Sequence, residues 1–117
     1  MYTRTGLLFF LVSVLQCAAA ASAVSEVDHL IAYVDQSGCA FIRNGSPADS
    51  HAAAAHLRQK QRFANGRVKT AEQFIEHIAS GSSMSGEPYL VECPGETAQE
   101  SGPWLSKELQ HFRAESK

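Results

Sequence analysis

A chain of 117 residues has room for one small domain and not for a second core of ordinary size. Ten Lys and Arg against 12 Asp and Glu give a formal net charge of −2, too near zero for a polybasic nucleic-acid binder or an acidic tail. Apolar residues make up 44% and charged residues 19%, the balance of a globular chain, which excludes one disordered or membrane-embedded throughout.

Arg4 precedes an apolar run of 10 residues, Gly6 to Leu15, half of the roughly 20 needed to cross a bilayer. Ala21 and Ala23 follow in an A-x-A pattern, so residues 1 to 23 read as a secretory signal cut after Ala23. Gln16 is too bulky to precede a lipid-anchored cysteine, which argues against that role for Cys17. Cleavage leaves 94 residues, 24 to 117, as one periplasmic domain with net charge −3 and no membrane span. It also leaves two cysteines, Cys39 and Cys93, and an even number in an exported chain predicts a disulfide.

Ser25 is placed to cap a first helix, with Glu26 and Asp28 at its positive end and Val27, Leu30, Ile31 and Val34 as its apolar stripe. Gly38 ends it. Residues 39 to 43 are β-prone and close on Asn44-Gly45, a strong turn dipeptide. Ser46 to Ser50 reads as the entry to a long helix from Asp49 to about Asn65, with Ala53, Leu57, Phe63 and Ala64 on its apolar side and Gly66 as terminator. Thr70 with Gln73 three residues on is a capping box for a third helix whose Phe74, Ile75, Ile78 and Ala79 face the core. A loop from Ser82 to Pro88 leads to a second strand, Tyr89 to Cys93. A polar connection then reaches Gly102, and Pro103 starts a last amphipathic helix carrying Trp104, Leu105, Leu109 and Phe112.

Pairing the two strands antiparallel with Cys39 opposite Cys93 sets Phe41 against Val91 and Arg43 against Tyr89, since paired positions sum to 132. Directly opposed strand residues bring Cα atoms within disulfide reach, so register and bond support each other. The expected architecture is a small α+β domain of about four helices around a two-stranded antiparallel sheet, stapled by Cys39 and Cys93.

Four blocks in order, Ser37 to Cys39 with Phe41 to Gly45, Ala55 to Arg58 with Lys60, Thr70 to Ile75, and Ser82 to Tyr89, resemble the YfeK-like family of small exported bacterial proteins of unknown function. The resemblance runs from about residue 27 to Arg113 and implies export and a compact α+β domain, not an activity. Two departures stand out. Similar sequences often carry aromatic residues between the turn and the long helix, where this chain has Pro47-Ala48, and the stretch from Lys60 to Thr70 is shorter here.

The polar residues that draw attention are Arg43, Asn44, His56, Lys60, Ser83, Ser85 and Tyr89. His56 and Lys60 lie one helical turn apart. The strand pairing brings the serine loop towards the Arg43 end, where a cationic, hydroxyl-rich patch would suit an anionic or sugar ligand. Each residue also has a plainer use: Asn44 as a turn, His56 as a packed helix residue, the serines as a helix exit. The expectation is a non-enzymatic binding or accessory module for an unknown envelope component, with no cofactor. The alternative is a small periplasmic hydrolase using a loop serine with His56, although no G-x-S-x-G surrounds any serine. His51 and His56 are five apart and no C-x-x-C occurs, so neither a metal nor a thiol redox site is expected.

Overall fold

The computed structural model describes residues 22 to 64 and 66 to 116. Most of the secretory segment, with Cys17, and the predicted helix end at Asn65 lie outside the described residues. Helix α1, Ser22–Gln36, starts four residues earlier than a Ser25 cap predicts, so Ser25 and Glu26 lie inside the helix. Its stripe behaves as its periodicity requires: Val27, Leu30, Ile31 and Val34 are all buried. Among the described residues no helix is long and apolar enough to cross a membrane.

Strand β1, Ala40–Arg43, turns back at Asn44 and Gly45 into strand β2, Ser46–Ala48. The sheet is therefore four-stranded and antiparallel, in the order β2-β1-β3-β4, with β3 at Leu90–Glu92 and β4 at Gln99–Glu100; the two-stranded expectation is corrected. Both turn residues have positive φ, 50° and 81°, the two-residue hairpin geometry that Asn-Gly favours because its twist matches the strands. Pro47, read from the sequence as part of a helix entry, lies instead on an edge strand opposite Ile42, where a missing N–H is tolerated.

The central register is the expected one. Ala40 faces Glu92, Phe41 faces Val91 and Ile42 faces Leu90. Cys39 and Cys93 close the same ladder with a disulfide, Cα atoms 4.1 Å apart. The ladder stops short of Arg43 and Tyr89, because Tyr89 N–H donates to Ser80 O and Tyr89 O accepts from Ser101 N–H. Cys39, Tyr89 and Val91 are buried on one face, with Phe41 packed against the core beside them.

Helix α2, Ser50–Ala64, is capped by Asp49, whose Oδ1 accepts from Ala52 N–H at 2.8 Å. Its inward residues are Ala54, Leu57 and Ala64, whereas Phe63 is 74% exposed. Leu57 and Ala64 are seven apart and share a face; Phe63 is displaced from it by one residue, about 100° of helix. Helix α3, Ala71–Phe74, widens into a π-helical turn at Ile75–Ala79. Thr70 caps it, accepting from Gln73 N–H at 3.0 Å, while the Gln73 side chain reaches past the cap to Lys69 N–H. Helix α4, Ser101–Glu115, puts Pro103 third in its first turn, where the absent N–H breaks no helical bond. Trp104 is half-buried against Tyr33 and Phe41.

The exit of α3 shows how the layers are tied. A helix end leaves carbonyls without intrahelical donors, and here side chains supply several of them. Ser80 Oγ donates to Ile75 O at 2.5 Å, Ser101 Oγ to Ala79 O at 2.7 Å, and Lys60 Nζ to Ile78 O at 2.7 Å and Gly81 O at 3.2 Å. Gly81 pairs with Pro88 here, and a Cβ on it would stand 2.8 Å from Glu87 O, so the close approach needs glycine. On the opposite side, Arg113 of α4 grips the buried Glu26 of α1 through two bonds, 2.8 and 2.9 Å, and Glu72 of α3 through two more.

Candidate functional site

The hairpin β1-β2 stands over α2, and between them lies a pocket of about 230 Å³. It exists because the facing positions are short: Ala48 on β2, Ala52 and Ala53 on α2, and Ala79 across the floor. Val34, Leu57 and Leu105 form deeply buried walls, while Arg43, Ser46 and Pro47 are exposed and mark the open side. The four consecutive alanines, 52 to 55, favour a helix, and small residues facing a hairpin are also the signal that a cavity can form there.

Arg43 and His56 meet at this opening. Arg43 Nη1 donates to His56 Nε2 at 3.1 Å, which requires a neutral ring with its proton on Nδ1. Burial, then Arg43, then Lys60 hold the His56 pKa below its ordinary value. The Tyr89 ring lies edge-on to the imidazole at 6.3 Å. Among the described residues Arg43 has no carboxylate within 4 Å, whereas Arg58 and Arg113 both have acidic partners.

Lys60 has a different role from its neighbour one turn back. Its ammonium points inwards and donates to Ile78 O, Gly81 O and, at 2.9 Å, the Tyr89 hydroxyl, which occupies all three of its protons. The serine loop meets the turn of the hairpin: Ser85 Oγ donates to Asn44 Oδ1 at 2.6 Å, and Asn44 Nδ2 reaches Ser82 Oγ at 3.5 Å. Ser82 Oγ also accepts from the Met84 and Ser85 N–H groups. Ser83 lines a separate surface depression with Phe63 and His77. Thus Arg43, His56 and Tyr89 gather at the pocket, Asn44 and Ser85 lock the loop to the hairpin beside it, and Ser83 lies elsewhere. Ser82 and Ser85 bond to Asn44, Ser83 lies in another depression and His56 pairs with Arg43, so this geometry lends no support to a serine hydrolase. Among the described residues no group of three or more His, Cys, Asp or Glu side chains is placed to hold a metal ion.

These features define a disulfide-stapled α+β protein with an apolar pocket guarded by a cation and a neutral imidazole. The chain belongs to a family of unknown function, DUF5329, whose model matches residues 21–113. It is also 47% identical over 49 residues to the uncharacterized protein YfeK of Salmonella typhimurium, a match covering 42% of this chain and 41% of that protein. That match spans about two fifths of the relative's length, and the YfeK-like resemblance stands as one to proteins of unknown function. No solved structure matches.

Proposed function

We propose that the mature chain is an exported, periplasmic binding module of the cell envelope that takes a small, largely apolar molecule into the pocket beneath the β1-β2 hairpin. The observation that carries the reading is the pocket itself. Close-packed interiors leave few voids larger than a water, and one of about 230 Å³ open on one side is room for a ligand. Apolar walls with a few polar groups converging at the rim are the usual composition of such sites.

Filling the pocket tests this directly. Hexanamide, a small neutral probe, is expected to shift the fluorescence of the sole tryptophan, Trp104, which packs on the pocket-lining Phe41 at 5.6 Å between ring centroids. Ala53→Leu puts a side chain into the cavity and should abolish the shift without lowering the thermal midpoint. No response in the wild-type protein removes the reading. Export has its own test, the intact mass of the secreted protein under a thiol-alkylating reagent in denaturant. Residues 24 to 117 less two hydrogens, unalkylated, is the expected mass; a retained N-terminus overturns the periplasmic assignment.

A further inference from the structure

The two ends of the pocket differ in chemistry, and the difference restricts the occupant. Val34, Leu57, Ala79 and Leu105 line its inner part and carry no side-chain donor or acceptor. Ser101 lies there too, but its hydroxyl is bonded to Ala79 O and its N–H to Tyr89 O. A polar head placed deep inside would lose its water and gain nothing in return. At the opening the opposite holds. The Arg43 guanidinium has five N–H donors and gives one to His56, and among the described residues no acid neutralises it.

We infer that the pocket takes a small carboxylic acid in its anionic form, its carboxylate held between Arg43 and His56 and its hydrocarbon body laid against Phe41, Pro47 and Leu57. The inference rests on the pocket being the binding site proposed above, and adds the ligand's charge and size. A planar guanidinium fork matches a carboxylate in two parallel bonds, and one guanidinium with one imidazole suits a single negative charge. At about 30 Å³ per water, a pocket of about 230 Å³ holds roughly eight water-sized groups, which limits the body to a short chain or one ring.

Binding should also take up a proton. The charged and titratable groups facing His56 are Arg43 from β1, Lys60 from its own helix and Tyr89 just before β3. In the free protein the two cations oppose a third positive charge on the ring. A carboxylate beside the ring reverses that balance, so His56 Nε2 gains a proton and donates to the ligand, while the acid itself stays ionised above about pH 5. Affinity therefore rises as pH falls from about 8 to about 6, by at most tenfold per pH unit for one proton.

The experiment compares hexanoate with hexanamide, equal in length and differing in charge, by titration against the full mature chain at both ends of that pH range. At the acid end hexanoate is expected to bind at least about tenfold more tightly than hexanamide. Only hexanoate should weaken on raising the pH. Arg43→Gln should erase the preference, hexanoate binding falling to the level of hexanamide, and an unchanged thermal midpoint shows that the variant is folded. Equal binding of the two probes overturns the carboxylate inference and leaves the apolar pocket standing. A preference that survives in Arg43→Gln overturns it too. Failure of both probes removes the inference together with the binding reading beneath it.

Discussion

Removing the Cys39–Cys93 disulfide, by reduction or by the double substitution Cys39→Ser and Cys93→Ser, is expected to destabilise the fold by about 4 kcal/mol and to lower the thermal midpoint by roughly 15 °C or more. The bond joins residues 54 apart and closes a loop holding β1, the hairpin, α2, α3 and the serine loop. In the chain-entropy account, most of that figure comes from restricting the unfolded chain. For a domain of this size it is a large fraction of total stability, which is commonly about 5–15 kcal/mol. Cys39 is also 4% exposed, so a serine there adds a desolvated hydroxyl to the lost crosslink. An unchanged denaturant midpoint in the reduced protein would show that the β1-β3 ladder holds without its staple.

The second large effect is expected at Lys60. Lys60→Met keeps the hydrocarbon stem and deletes the ammonium, leaving Ile78 O, Gly81 O and the Tyr89 hydroxyl without their shared donor. Hydrogen bonds to a charged group are worth about 1.5–3 kcal/mol each, and water can reach this half-buried site, so a total loss of about 2–3 kcal/mol is expected. Tyr89→Phe removes one of the three contacts and should cost about 1 kcal/mol. Urea unfolding checks both. If Lys60→Met leaves the urea midpoint in place and weakens only ligand binding, the ammonium belongs to the site and not to the cohesion of the α3 exit.

How much of this could be read from the residues depended on whether a feature is local or a product of assembly. The α1 stripe and the β1-β3 register could be read, because a 3.6-residue repeat selects one helix face and two cysteines on β-prone runs fix which positions oppose each other. Strand β2 was hidden behind Ser46-Pro47-Ala48-Asp49, which also suits a helix start; the preference of Asn44-Gly45 for a tight hairpin was the stronger clue. Strand β4 is two polar residues with no β-propensity of their own and forms because β3 offers an unpaired edge. His56 and Lys60 share a helical spacing, yet one side chain meets Arg43 at the pocket and the other crosses to the end of α3. The pocket was least visible of all, since it is a volume left by missing side-chain atoms and no single residue type signals it.

The π-helical turn at Ile75–Ala79 sets the aim of everything that follows it. A bond from residue i to i+5 encloses one residue more than the α-helical bond, so the carbonyls beyond it are rotated relative to an uninterrupted helix. Winding the same five residues as an ordinary α-helix, with none removed, would swing the later carbonyls by about 100°. Ile78 O and Gly81 O would then no longer face Lys60, and the serine loop would leave the helix in another direction. Deleting one residue of the segment removes the one that the wider turn accommodates, so the later carbonyls keep nearly their present aim and the loop still meets the hairpin through Asn44 and Ser85.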